Sequence, residues 1–130
     1  TQAIAIVEVP NRYLAGITEV ALKDHYADKT NWGKMLQCTA EGCDLILEKS
    51  KVENLIPAEV KDYFYSQKND VYELNYPVLS YPAKVGSLNL DKTPSFQGKL
   101  VGIKGQYLIF ENGTVFNVRG SEGYCVTINV

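Results

Sequence analysis

Residues able to do chemistry are concentrated first in "DHYADKTNW", Asp24 to Trp32, which holds two aspartates, the single histidine, an amide and the single tryptophan. A histidine among carboxylates is raw material for a general base or a metal site, because imidazole titrates near neutral pH and a carboxylate can orient it. The spacing argues for architecture instead. Asn11 is a suitable N-cap for "RYLAGITEVALKDHYA", in which Leu14, Ile17, Ala21, Leu22 and His25 fall on one side at helical spacing. His25 is thereby expected in an apolar stripe, as a hydrogen-bonded core residue. Asp28 or Thr30 is expected to cap a second short helix, "NWGKMLQ", with Trp32 as its packing anchor. Glu19 points away from the stripe and precedes Lys23 by four residues, the favourable order for a surface ion pair.

Other chemistries find less support. A Ser-His-Asp arrangement has one candidate base, His25, and no strained G-x-S-x-G turn. "GIKG", Gly102 to Gly105, lacks the further glycines, the Lys-Ser/Thr ending and the helix of a phosphate loop, and reads as a hairpin. "NGT", Asn112 to Thr114, matches a glycosylation acceptor by accident if the protein is cytoplasmic. Cys38, Cys43 and Cys125 are odd in number and wrongly spaced for structural zinc, so three separate buried cysteines are expected. The tail is more suggestive. Lys99, Lys104, Tyr107, Phe116, Arg119 and Tyr124 supply the aromatics and cations with which small barrels stack bases and hold phosphates. Strands also use aromatics for packing, and that is the commoner use.

Those residues must be positioned by a chain of 130 residues, enough for one modest core on length alone. No apolar run approaches the roughly 20 residues of a membrane helix, and "TQAIAIVEVP" lacks the basic start and apolar core of a signal peptide. A cytoplasmic protein without a membrane partner is expected. The opening lacks methionine and runs directly into strand-like sequence, which predicts that the natural protein extends upstream. Charge is uneven: residues 1 to 75 carry 8 Lys or Arg against 12 Asp or Glu, and residues 76 to 130 carry 5 against 3. Two excess positive charges fall short of a dedicated nucleic-acid patch.

"QAIAIVEV" predicts a strand buried on both faces, ended by Pro10. "DLILEKSKVENLI" and "PAEVKDYFYSQ" predict two further helices, the latter with Pro57 at its tolerated first position. From Val71 the period changes to short β-rich runs: "DVYELNYPVLSYP", "VGSLNL", "GKLVGI", "QYLIFE", "TVFNVR" and "YCVTINV". Asn112-Gly113 predicts a type I′ hairpin turn, with Lys104-Gly105 and "GSEG" marking neighbouring turns. Leu108 and Phe110 face one way and Tyr107 and Ile109 the other, so the sheet should be covered or rolled up. The expected fold is α+β: a strand-and-helices portion over residues 1–70, then an antiparallel meander over 71–130, closing as a small barrel.

The stretches "VPNRYLAGITEVALKDHYADKTNW" and "ELNYPVLSYPAKVGSLNLDKTPSFQGKLVGIKGQYLIFENGTVFNVRGSEGY" closely resemble a bacterial family known as domain of unknown function 2797. Members of that family carry an upstream portion similar to the second half of the GIY-YIG nuclease signature. The resemblance implies that residues 1–70 are the remainder of such a lobe, with Glu19 where the nucleases place their metal-binding glutamate and Asn31 where they often keep an asparagine. It also implies that Mg or Mn would serve the full-length protein, because a hard divalent cation wants oxygen ligands. The paired tyrosines and the arginine of the nuclease pattern have no counterpart between Thr1 and Val130, so this chain should bind no cofactor and cleave nothing by itself. The leading expectation is a non-catalytic module that binds nucleic acid or another phosphate-bearing partner through the barrel, with Lys99, Lys104, Tyr107 and Arg119, and through the helix bearing Glu19. The alternatives are a divalent-metal phosphodiesterase in the full-length protein, using Glu19 and Asn31, and a protein-interaction module.

Overall fold

The computed structural model describes residues 1–27 and 29–129. The fold is α+β, and the chain divides into two compact units: Thr1–Thr30 with Glu41–Asn75, and Asn31–Ala40 with Tyr76–Val130. The division expected at residue 70 therefore misses two exchanges: residues 31–40 join the tail and residues 71–75 join the front. Among the described residues no helix is long and apolar enough to cross a membrane.

In the first unit, β1 (Gln2–Ile4) pairs antiparallel with β2 (Val71–Glu73), matching Gln2 to Glu73 and Ile4 to Val71. The same extended segment continues past β2, with Tyr65 N–H donating to Ile6 O (2.9 Å) and Glu8 N–H to Tyr63 O (3.1 Å). The expected strand "QAIAIVEV" is thus split between two partners and is half-buried or exposed rather than buried on both faces, because a two-stranded ribbon leaves its faces partly uncovered.

Helix α1 (Arg12–Leu22) begins as the sequence predicts, with Asn11 Oδ1 accepting from Leu14 N–H at 3.0 Å. Leu14, Ile17, Ala21 and Leu22 are half-buried, and Thr18 is the most buried residue of the helix, its hydroxyl donating to Leu14 O (2.7 Å). His25 is exposed, contrary to expectation, because the helix ends at Leu22 and the chain leaves the helical track before reaching it. Helix α3 (Leu45–Val52) is capped by Asp44, whose side chain accepts from Ile46 and Leu47 N–H. "PAEVKDYFYSQ" forms a 3-10 helix, Ala58–Tyr63, where an α-helix was expected. Val52, Ile56 and Val60 are the buried apolar residues here.

The second unit is a sheet with a helix on it. Helix α2 (Trp32–Gln37) is capped by Asn31, Oδ1 accepting from Lys34 N–H at 3.1 Å. Neither expected cap serves it: Thr30 precedes the capping position, and Asp28 lies outside the described residues. Strands β3 (Gly86–Ser87), β4 (Leu100–Lys104), β5 (Tyr107–Phe110) and β6 (Thr114–Asn117) form an open sheet of order β3-β6-β5-β4. Pairing of β4, β5 and β6 is antiparallel, and β3 runs parallel to β6.

No closed barrel forms among the described residues. One segment flanks the antiparallel strands on both sides instead. Its start lies along β4, with Leu79 N–H donating to Val101 O (2.8 Å) and Ile103 N–H to Pro77 O (2.9 Å). Its end lies along β6, with Gly86 N–H donating to Gly113 O (3.0 Å) and Leu88 N–H to Val115 O (2.8 Å). The start of the segment thus covers part of the outer side of β4, and its end is β3 itself, which leaves an open edge only two residues long. "YCVTINV" adds no strand among the described residues.

The β5–β6 connection falls where Asn112-Gly113 predicts it, but it is not type I′. Only Gly113 has positive φ (82°), Gly113 N–H donates to Phe110 O, and Asn112 Oδ1 accepts from Thr114 N–H. This is the three-residue loop in which a turn ends on a left-handed glycine. A Cβ at Gly113 would also lie 2.5 Å from Lys84 O, so position 113 is closed to side chains on two counts.

The alternation along β5 holds. Ile109 is fully buried with Leu36, Val101 and Val115, and Tyr107, Met35, Val78 and Val85 pack around them. On the opposite face Phe110 meets Phe96 edge to face, centroids 4.8 Å apart. The three cysteines, expected to be buried, are exposed free thiols.

Candidate functional site

The residues that could meet a ligand gather where α2 crosses the second unit's sheet. Trp32, the first residue of α2, stacks on Tyr107 of β5 with centroids 6.3 Å apart and rings 14° from parallel. Tyr107 pairs across the β4–β5 turn with Lys104, the last residue of β4. Lys104 is 4% exposed. Its Nζ donates to Met35 O at 2.9 Å and lies over the rings of Tyr81 (4.9 Å) and Tyr76 (5.5 Å).

Local sequence explains why this cation can be buried. The α2 helix is only six residues long and ends at Cys38 in the left-handed conformation (φ 57°), leaving the carbonyls of its last turn pointing outward. A cation is favoured there by the helix dipole, and the faces of two phenol rings replace part of its lost hydration. The rings are supplied by Tyr76-Pro77 and Tyr81-Pro82, since a residue before proline is held extended. Gln37 Nε2 closes the arrangement by donating to Ala83 O at 2.6 Å.

Two of the rings remain accessible: Trp32 is 41% exposed and Tyr81 39%. The 3-10 turn Arg119–Ser121 lies at the same end of the sheet, because Asn117 is the register partner of Tyr107 and Val118 N–H donates to Gln106 O. Arg119 and Lys34 are exposed.

The residues expected to form one nucleic-acid surface therefore separate. Tyr107 and Arg119 share an end of the sheet. Lys104 shares that end but is occupied internally, so its ammonium is not presented to a phosphate. Lys99 stands at the far end of β4, roughly 17 Å away at strand rise, where its Nζ is bound by Glu111 at 2.9 Å. Sequence reasoning overlooked Tyr76, Tyr81 and Lys34, and the paired Tyr-Pro dipeptides were the signal available for the first two.

Glu19 and Asn31 fall in different units. Glu19 is exposed on α1, and the Asn31 amide oxygen is engaged as the α2 cap. No group of three His, Cys, Asp or Glu is placed to hold a metal ion among the described residues. One exposed carboxylate does not make a divalent-cation site.

Assigning charge by unit sharpens the contrast seen along the sequence. The first unit carries 7 Lys or Arg against 12 Asp or Glu, formally −5, and the second carries 6 against 3, formally +3. The shift comes from residues 31–40, whose one charged side chain is Lys34.

Residues 1–126 match the profile of the family described as "Protein of unknown function (DUF2797)". The chain belongs to that family. No curated protein and no solved structure matches it. For this DUF2797 member, the stacked Trp32 and Tyr107 beside a lysine buried between tyrosines are the features with the most evident capacity for recognition.

Proposed function

We propose that the second unit binds single-stranded nucleic acid. Trp32 and Tyr81 offer base-stacking faces, and Arg119 and Lys34 meet phosphates. The observation that carries this reading is that Trp32, held parallel to Tyr107, stays 41% exposed on the unit with formal charge +3. Base–aromatic stacking tolerates any sequence because every base has a π-face, and nearby cations track the backbone. Lys104 is then a positioning residue, fixing Tyr81 and the end of α2 rather than touching the ligand.

Fluorescence anisotropy with labelled single-stranded DNA and RNA tests the proposal, because phosphate contacts must weaken as salt rises from about 50 to about 200 mM. Trp32→Ala should weaken binding about tenfold or more, since one stacked base contributes on the order of 1–3 kcal/mol. Arg119→Ala should reduce the slope of affinity against salt. Absent binding at low salt, or binding indifferent to both salt and Trp32, would overturn the assignment.

A further inference from the structure

Helix α1 carries a second apolar stripe, on the side opposite Thr18. Tyr13 is 69% exposed and Val20 70% exposed, and with Arg12, Gly16, Ile17 and Ala21 they line a shallow, almost wholly apolar groove. We propose that this groove docks against the same groove of a second copy of the chain, with the two α1 helices antiparallel.

Three features of α1 select that occupant. The first is charge. Arg12 and Glu19 are seven residues apart, two turns, and so occupy the same flank of the stripe. A twofold axis perpendicular to antiparallel helices sets each flank against its own copy in reverse order. With the axis between Gly16 and Ile17, Tyr13 meets the partner's Val20, and Arg12 comes within about 3 Å, along the axis, of the partner's Glu19. The pair forms twice. Parallel pairing would set Arg12 against the flank of Ile17 and Ala21, which offers no acid. Lys23, on the Arg12 flank, falls beyond the partner's first turn.

The second feature is the helix dipole. Arg12 occupies the first helical position, where the partial charge is positive, and the first turn has no acidic residue while the last has no basic one. Arg12 at that end opposes the helix's own dipole, whereas Lys23 at the C-cap complements it. An antiparallel neighbour brings its negative end to Arg12 and reverses the sign of that interaction.

The third is Gly16. A mid-helix glycine is disfavoured against alanine, yet a Cβ built at Gly16 meets nothing within 4 Å. Nothing in the described chain needs the missing side chain. A helix crossing close to this point would.

An 11-residue helix is about 16 Å long, too short to bury the roughly 1,200 Å² of a stable complex by itself. Association should therefore be weak and concentration-dependent. Sedimentation equilibrium of the 130-residue chain, from about 10 μM to about 1 mM, should show the mass rising from 14.5 kDa towards twice that value. Val20→Glu should hold it at the monomer mass. Arg12→Glu should weaken the dimer about tenfold, because two pairs become two repulsions. The exchange Arg12→Glu with Glu19→Arg should restore it to within about threefold, which separates pairing from misfolding. Gly16→Leu should preserve helicity by circular dichroism and weaken association. A monomer at the highest concentration, a dimer indifferent to Val20→Glu, or a charge exchange that restores nothing would each overturn the proposal.

Discussion

Each unit buries a lysine, and the two burials differ in what surrounds the ammonium. Lys49, on α3 of the first unit, donates to Lys68 O at 2.5 Å and lies over the single ring of Phe64 at 5.7 Å. Lys104 donates to a carbonyl at the end of a helix and sits between two phenol rings. Lys49 pins a loop 19 residues away, whereas Lys104 joins segments 69 residues apart. A buried cation needs substitutes for water, and a helix terminus with two π-faces offers more of them than a loop carbonyl with one. The second unit's lysine therefore organises its fold, and the first unit's fastens its surface.

The largest effects should come from the cores beneath these lysines. Ile109→Ala empties a fully buried position between α2 and the sheet and should cost about 4 kcal/mol in urea denaturation, against about 2.5 kcal/mol for Val60→Ala in the first unit. The lysines come next. Lys104→Met keeps the volume and removes the charge, with an expected cost of about 2 kcal/mol, and Lys49→Met should cost about 1 kcal/mol. Equal or reversed costs would break the comparison. Met35 O retains Cys38 N–H as a donor, which limits the damage at Lys104.

Caps should come third. Asn11→Ala and Asn31→Ala should each cost about 1 kcal/mol, and Asn31→Asp should recover most of that loss. If Asn31→Ala left stability unchanged and abolished nucleic-acid binding, the amide would be a ligand contact rather than a cap.

The smallest effects concern pH. The Glu48 carboxylate accepts from Lys51 Nζ at 2.6 Å and from the Tyr26 hydroxyl at 3.1 Å, which holds that carboxyl below the usual range. Its contribution is present above the ordinary glutamate value and fades as pH falls through the lower folded value. Glu48→Gln should remove that acid-limb dependence. In the second unit, the hydrogen bond to Asp91 pushes the Tyr124 phenol up. That contribution is complete below the ordinary tyrosine value and fades as pH rises through the higher folded value, so Tyr124→Phe should remove it. Titration of stability in wild type and both variants checks these signs.

Local signals were legible where a single residue's own preference decides the outcome. The Asn11 cap, the hairpin glycine at position 113 and the alternation of Tyr107 and Ile109 are of this kind. Lys104 was not legible as a core residue, because a lysine near a turn is normally solvated, and its partners Met35, Tyr76 and Tyr81 come from other segments. His25 was misplaced because a helical stripe was extended three residues past the helix end. The site itself was half visible: Tyr107 and Arg119 could be named, but the exposed ring on which the proposed function rests is Trp32, expected only to anchor a helix.

By itself the sequence determined the α+β class, the start of the first helix, the place of the hairpin glycine and the family, because capping, positive φ and side-chain period act over a few residues. Only the tertiary structure decided which unit claims residues 31–40, whether the sheet closes, and which cations face water. Those outcomes depend on carbonyls, rings and strand edges brought together across dozens of residues, and no local preference encodes such meetings.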